Sequence, residues 1–481
     1  MIFNNMITSL VKKYPNIVWT EFDSPWLNRG EYRLDGSFYC DSDLIARIIF
    51  ESTNYKKVHL SNFLFPGEDW KKQIFLPNRS SRVYVDQFHG IPYFSGSDIL
   101  MAYPVASAYL ANSHKTVSST LIKQNWLLVS ARGTVGNITI AGKRMNNTCA
   151  SDNIIRVCVS EDQPFGFIYA FFRSRFGRAQ FRKNTYGAVV DAISAKHVAS
   201  ISVPLLNLSD IHKIHKDISH AFSLRNQAND LIDESQELFY EFLNLPKISI
   251  DDVQHLVGKK VKAWEINEFG FENRFDGSFY YPLADLTIEK LKESKYPISI
   301  LGNKKLVQKV FMPGRFRRIY VKKGFGIPFL SGKNIIQSTQ DDIRFLAKTK
   351  DVESYIIKIG WVLITRSGTI GRTSLVTKQW DNFAATEHII RIIPKDIDSG
   401  YLITFLHSNY GQNQIKRFIH GSIVDEISEN QIMQIVIPVP EKDIQIQIGE
   451  KAQKAFELRA KANEIEEKAI EFLEEKIKES I

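Results

Sequence analysis

Hydrophobic patterning alternates between two textures along this chain, and it does so twice. Short apolar runs rich in Val, Ile, Phe and Tyr, among them WLLVS (126–130), NITIAG (137–142) and NIIRVCV (153–159), are bounded by Gly, Asn and Pro. Such runs predict β-strands. GFIYAFFRSRFGRAQFRK (166–183) has helical spacing and predicts a helix within that β-rich region. The period then changes. Residues 209–243 contain no Gly or Pro and residues 443–477 contain one Gly, so both predict long helices. In the first, Ala221, Ala228 and Ser235 recur every seven residues beside Leu224, Leu231 and Leu238. In the second, Ala455, Ala462 and Ala469 stand beside Leu458, Ile465 and Phe472. A heptad seam with one small column permits close helix–helix approach. Because the seam recurs at one repeat position, pairing of the two helices is expected in preference to each packing on its own domain. An antiparallel pair would carry a pseudo-twofold axis. Helices of this size extend about 50 Å at about 1.5 Å per residue.

The two textures repeat because the sequence itself repeats. RLDGSFY (33–39) returns as RFDGSFY (274–280), FLPNRSSRVYV (75–85) as FMPGRFRRIYV (311–321), and GIPYFSGSDI (90–99) as GIPFLSGKNI (326–335). WLLVSARGTVG (126–136) returns as WVLITRSGTIG (361–371), DNIIRV (152–157) as EHIIRI (387–392), and GAVVDAIS (187–194) as GSIVDEIS (421–428). The offset shrinks only from 241 (33 to 274) to 234 (ISVP at 201 to IVIP at 435). A module this long is no solenoid unit. It implies two domains of one fold, each α+β with a twisted, mostly antiparallel sheet. The boundaries expected are 1–207 for the first domain, 208–262 for its long helix and linker, 263–440 for the second, and 441–481 for the last helix.

Composition adds the class of partner. The 481 residues are 44% hydrophobic and 24% charged, as in ordinary globular proteins. No run approaches the roughly 18 apolar residues of a membrane span, and the start of the chain has no signal-peptide pattern. Cys40, Cys149 and Cys158 form no CxxC pair, which fits a reducing cytoplasm. The net charge of +9 favours an anionic partner, and its distribution says more. NKKLVQKVFMPGRFRRIYVKK (303–323) has eight cations and no acid, and FFRSRFGRAQFRK (171–183) has five and no acid. Both interleave cations with aromatics, as a phosphate-tracking surface does.

Motifs for catalysis are missing. The chain has no Pro-Pro, and hence no [DNS]PP[YF] motif for a flipped adenine. GIPFLSGKN (326–334) departs from a phosphate loop in glycine spacing and lacks Ser or Thr after its lysine. His212, His215 and His220 do not share a helix face, so solvated or interhelical histidines are expected, with no metal and no cofactor.

RLDGSFY, GIPFLSGKNI, WVLITRSGTIG, EHIIRI and the IPVPEKDIQIQI lead into a long helix resemble, in that order and twice, the DNA-specificity subunit of Type I restriction–modification systems. The resemblance runs from about residue 17 to the end. It implies two target-recognition domains, each reading one half of a split, asymmetric site in double-stranded DNA. It also implies an antiparallel coiled coil that separates them and docks two methyltransferase subunits, restriction or translocase subunits joining through the complex, and no catalytic centre in this chain. A protein- or RNA-binding scaffold is the competing class, along with the recognition subunit of a related methyltransferase-based phage-defence system. A self-contained nuclease lacks any motif.

Candidate DNA-binding residues lie in loops that are basic in both modules, since cations position on phosphates and Arg on guanine is the commonest base contact. Arg79 and Arg82 correspond to Arg315 and Arg318, with Arg317 extra. Lys333 and Asn334 stand where the first module has Ser97 and Asp98, a divergence expected of modules that read different bases. Arg182, Lys183, Lys416 and Arg417 precede the Gly187 and Gly421 loops and suit phosphates. Gly133, Gly136, Gly368 and Gly371 shape tight turns, from which Thr134 and Thr369 reach phosphate. Arg132 and Arg366, displaced by one residue between the copies, are where the two loops differ in what they touch.

Overall fold

The computed structural model describes residues 42–481 apart from 80, 88, 107, 114–116, 134, 184–191, 258–262, 266–273, 341 and 422–424. The first RLDGSFY copy and the Gly187 loop lie outside the described residues. The chain forms two compact units: Met1–Ile99, Ala106–Ser219 and Glu466–Ile481 make the first, and Leu100–Val105 with His220–Ile465 the second.

In the first unit an antiparallel sheet has the order Ile74–Phe75, Ile154–Val157, Leu127–Ser130, Ile138–Ile140. Its middle strands are the apolar runs of the sequence and are buried throughout, as continuous rather than alternating runs require. A second sheet has the order Tyr84–Val85, Ala108–Ala111, Gly90–Phe94, Thr148–Ala150, Leu121–Ile122. Lys57–His59 pairs separately with Ser202–Pro204.

The second unit repeats this plan. Its first sheet runs Val307–Phe311, Ile389–Pro394, Val362–Thr365, Thr373–Leu375, the same order strand for strand. Its second runs Tyr320–Val321, Arg344–Leu346, Ile327–Leu330, Ala384–Ala385, and Ile298–Ile300 pairs with Val436–Pro438. The expected single sheet is thus three sheets per unit. One pairing in each is parallel, Tyr93 opposite Cys149 and Phe329 opposite Ala384, because long connections separate those strands in sequence.

The helix expected over 166–183 is two, Phe165–Arg173 and Arg175–Lys183, with counterparts Ser399–His407 and Asn409–Phe418. Ser174 and Ser408 leave the helical conformation at the joint (ψ 159° and 165°). Their hydroxyls accept from the amides of Gly177 and Gly411, in the first turn of the next helix. Hydrophobic spacing persists across such a joint, so periodicity alone does not reveal it.

The long helices are Leu208–Leu243 and Lys442–Glu479, and they run antiparallel within each unit. In the second unit Arg225 donates to Asn463 (2.8 Å), Asn229 accepts from Arg459 (2.9 Å), and Glu234 pairs with Lys451 (2.6 Å). In the first, Lys213 lies 3.5 Å from the centre of the Phe472 ring. The small column is the tight one: Ala221, Ala228, Ser235, Ala455, Ala462 and Ala469 are all buried. Leu224 is buried too, whereas Leu231, Leu238, Leu458, Ile465 and Phe472 are half-buried. Ile232 and Phe239, one position further on, enter the main core of the second unit.

Among the described residues each unit buries one arginine completely, Arg156 and Arg391, at the same place in DNIIRV and EHIIRI. Arg156 donates from Nη1 to the carbonyls of Ser151 (2.9 Å) and Ile154 (2.5 Å) and from Nη2 to those of Thr120 (2.9 Å) and Ala150 (2.6 Å). Arg391 donates to Thr386 (2.9 Å), Ile389 and Ala385. Burial pulls the guanidinium pKa down, to about 10 for Arg156 and about 9 for Arg391, so both are charged at neutral pH. Each reaches from a strand of the first sheet to carbonyls at the second. Replacing Arg391 by Met removes the guanidinium from three buried carbonyls; that of Thr386 keeps the Ile389 amide (3.2 Å), and the other two each cost about 1–3 kcal/mol when unsatisfied. Urea unfolding of Arg391→Met is therefore expected to show a loss of at least about 2 kcal/mol. A loss below about 1 kcal/mol would mean the carbonyls find other donors.

Candidate nucleic-acid interface

The segment before Tyr84–Val85 carries Arg79 and Arg82, and the turn between Thr148–Ala150 and Ile154–Val157 carries Asp152 and Asn153. Arg82 Nη2 bonds Asp152 Oδ1 at 2.5 Å, its Nη1 reaches the Tyr84 hydroxyl at 3.4 Å, and its guanidinium stands 5.3 Å from the Tyr93 ring centre. Arg79, Arg82, Tyr84, Asp152 and Asn153 line an open hollow.

The second unit holds the same constellation. Arg318 donates to Glu387 and lies 5.1 Å from the Phe329 ring centre. Arg315, 78% exposed, has its Nε 4.0 Å from the same carboxylate. Burial alone would raise the Glu387 carboxyl, but its own backbone N–H, the Thr386 hydroxyl and Arg318 outweigh burial and hold it below the usual value. A permanent carboxylate beside Arg318 cancels most of that arginine's field. Arg82 and Arg318 thus serve to neutralise and position an acid, and the exposed Arg79, Arg315 and Arg317 carry the outward positive charge.

The Gly-Thr loops match in backbone and differ in side chains. Gly133, Gly136, Gly368 and Gly371 have φ of +77°, +82°, +76° and +75°, the left-handed region that favours glycine. The arginine displacement proves to be a change of face. Ala131 and Arg366 occupy equivalent sites: each donates its amide to the residue after the acid, Asn153 or His388, and accepts from Ile193 or Ile427. Arg132 is equivalent to Ser367, their bridges being to Ala192 and Glu426. Successive strand residues face opposite sides, so Arg366 turns in to pair with Glu426 while Arg132 is exposed. The first unit has Ala131 and Ala192 where the second has that ion pair; both partners changed together.

The other candidates divide. Ser97 is exposed and bonds Ser95 at 2.9 Å. Lys333 is half-buried and pairs with Asp342 at 3.3 Å. Asn334 is 3% exposed and caps its own helix, its Oδ1 accepting from the Ser331 amide (2.8 Å) and hydroxyl (2.7 Å). Arg417 pairs with Asp285 at 2.6 Å over the Phe279 ring. Arg182, Lys416 and Thr369 are exposed, Lys183 ends its helix, and Thr134 lies outside the described residues. The basic run 171–183 is partly spent inside the first unit, where Arg173 pairs with Glu466 (3.3 Å) and the Arg175 amide donates to Glu474 (2.7 Å). His215 Nδ1 accepts from the Gly166 amide at 3.1 Å, and burial, then His212, lowers its pKa.

Asp152, Asn153, Glu387, His388, Tyr84 and Tyr320 are residues that the cation pattern missed. A signal was present: DNIIRV and EHIIRI keep an acid while the matching loops keep an arginine, and only pairing explains both. Tyr84 and Tyr320, with Val83 and Ile319, are exposed beside those arginines in both units.

Residues 321–474 match the model of a family described as Type I restriction modification DNA specificity domain. A search of curated proteins found no match. Among solved structures, the S subunit of a Type-I restriction-modification system from M. genitalium is similar at 14% identity, over 89% of this chain and 96% of that one, with a TM-score of 0.30. The HsdS subunit from Thermoanaerobacter tengcongensis is similar at 15% identity, over 87% and 96%, with a TM-score of 0.26. Likeness at this level fixes no detail of the present chain.

The Arg366–Glu426 exchange is testable on stability. Arg366→Ala and Glu426→Ala are each expected to destabilise the chain, and the double variant by less than their sum, with a coupling of about 1 kcal/mol in urea unfolding. Arg132→Ala is expected to change stability by no more than about 0.5 kcal/mol. Additive effects at 366 and 426 would refute the pairing.

Proposed function

We propose that this chain is a non-catalytic subunit that reads DNA sequence for a restriction–modification complex. The match of residues 321–474 to a DNA specificity domain carries the proposal. Its extension to the whole chain is supported by the first unit, which repeats the sheet order, the buried arginine and the arginine–acid hollow. Two diverged copies of one reading module suit a split, asymmetric site in double-stranded DNA. The paired helices would hold the modules at fixed spacing and dock two methyltransferase subunits, with restriction subunits joining through the complex. No helix among the described residues is long and apolar enough to cross a membrane.

In each module Arg79 or Arg315, with Arg317, is assigned to phosphate. Arg132, Thr134, Thr369, Arg182, Lys183 and Lys416 lie in further loops suited to the backbone, and Ser97 and Lys333 border the second sheet. Arg82, Arg318, Arg366, Arg417 and Asn334, all engaged within the chain, are assigned to holding the surface in shape.

Methylation mapping of a host genome with and without the gene is expected to reveal a split motif that disappears with it. Removing one heptad from both long helices should shift or abolish the preferred spacing of its halves, and an unchanged spacing would refute the helices as a ruler. Binding of the full chain to duplex should weaken steeply with salt, by a log–log slope of about −0.9 per phosphate neutralised. Arg315→Ala should make that slope less steep by about one unit. Salt-insensitive binding would favour a protein-binding scaffold.

A further inference from the structure

The duplication works as an internal control: within the hollow, what is kept between units is framework, and what differs is free to carry information. Arginine, acid, tyrosine and the supporting ring recur as Arg82, Asp152, Tyr84 and Tyr93 and as Arg318, Glu387, Tyr320 and Phe329. The residue after the acid changes character, from Asn153 to His388.

Backbone at this position is pinned the same way in both units. The carbonyl of Asn153 accepts from Ala131 at 2.8 Å and that of His388 from Arg366 at 2.9 Å. The side chains are not used for that purpose. Asn153 lines the hollow and is half-buried. Its Oδ1 is turned away from solvent and meets no donor among the described residues, so a half-turn of the carboxamide that brings it to an incoming donor gives up no existing bond. His388 Nδ1 lies 2.9 Å from the Ser367 hydroxyl, and its Nε2 lies 3.7 Å from Glu387. The carboxylate facing Nε2 favours the tautomer with the hydrogen there, Ser367 then donating to Nδ1, and at 3.7 Å from Glu387 that N–H is beyond hydrogen-bond reach and open to another acceptor.

We infer that Asn153 and His388 are specificity-determining residues that touch base edges, Asn153 an adenine in one half-site and His388 a guanine in the other. A carboxamide offers one donor and one acceptor, which complements the N7 acceptor and N6 donor of adenine in the major groove. An imidazole N–H offers a donor, which complements the two acceptors, N7 and O6, of guanine. Neither side chain is a lysine or arginine that would settle on phosphate, and Arg79 and Arg315 stand beside them to take that role.

This inference rests on the DNA-reading function proposed above, and its test separates the two. The full chain with its methyltransferase partners is challenged with duplexes carrying the mapped motif and its single base-pair substitutions. Asn153→Ala should reduce discrimination at one adenine in one half-site by about 10- to 100-fold, leaving the other half unchanged. His388→Ala should do the same at one guanine in the other half, and His388→Asn should move that position toward adenine. Unaltered discrimination at every base pair overturns the inference. So does a loss of both half-sites together, which would make the residue part of the framework. If the native chain yields no split motif, the proposed function itself has failed.

Discussion

A guanidinium enclosed by main-chain carbonyls is the constraint on which each unit turns. Arg156 and Arg391 are charged, fully buried and bonded to backbone oxygens. A charge so placed is tolerable only where acceptors surround it, so the carbonyls are held as firmly as the arginine. One of them belongs to Ser151 or Thr386, the residue immediately before the acid. The buried cation therefore fixes the turn, the turn fixes Asp152 or Glu387, and the acid fixes Arg82 or Arg318. The hollow's geometry descends from a residue that never reaches its surface.

That hierarchy changes how the cations should be counted. A net charge of +9 and dense basic runs suggest a surface covered in free positive charge. Much of it is committed within the chain: Arg173 to Glu466, Arg318 to Glu387, Arg366 to Glu426, Arg417 to Asp285. What remains outward, Arg79, Arg315, Arg317 and Arg132 above all, is a smaller set held on a rigid frame. The long helices follow a similar economy, since close approach is set by Ala and Ser while the larger column, Leu224 apart, is only half covered.

The duplication, the strands and the long helices were legible in the sequence because each is a periodic or repeated signal. The apolar runs at 127–130 and 154–157 and the heptad spacing of Ala221, Ala228 and Ser235 could be read without a structure. Ser174 and Ser408 were not, because a helix break leaves hydrophobic spacing nearly intact. The division into several sheets was not, because strand order depends on long-range pairing such as Tyr93 with Cys149. At the site, exposed arginines were recognisable by type, but the difference between Arg315 and Arg318 lies in reach to Glu387, 69 residues further on for Arg318. Arg132 and Arg366 were visibly out of step; that one residue reverses the face took the pairing with Glu426 to establish.

The makeup of the units bears on inheritance. The first unit is completed by Glu466–Ile481 from the far end of the chain, where Glu466 and Glu474 hold Arg173 and Arg175, and the second takes in Leu100–Val105 from within the first half of the sequence. Neither unit corresponds to one uninterrupted stretch of gene. A crossover that exchanged one half of the coding sequence for a relative's would separate Arg173 from its acid and Leu100–Val105 from the residues they join. A breakpoint inside the first long helix spares neither pairing, so an exchanged half must bring compatible partners for Arg173 and for Leu100–Val105, even where the Ala and Ser heptad column offers a foreign helix the same seam.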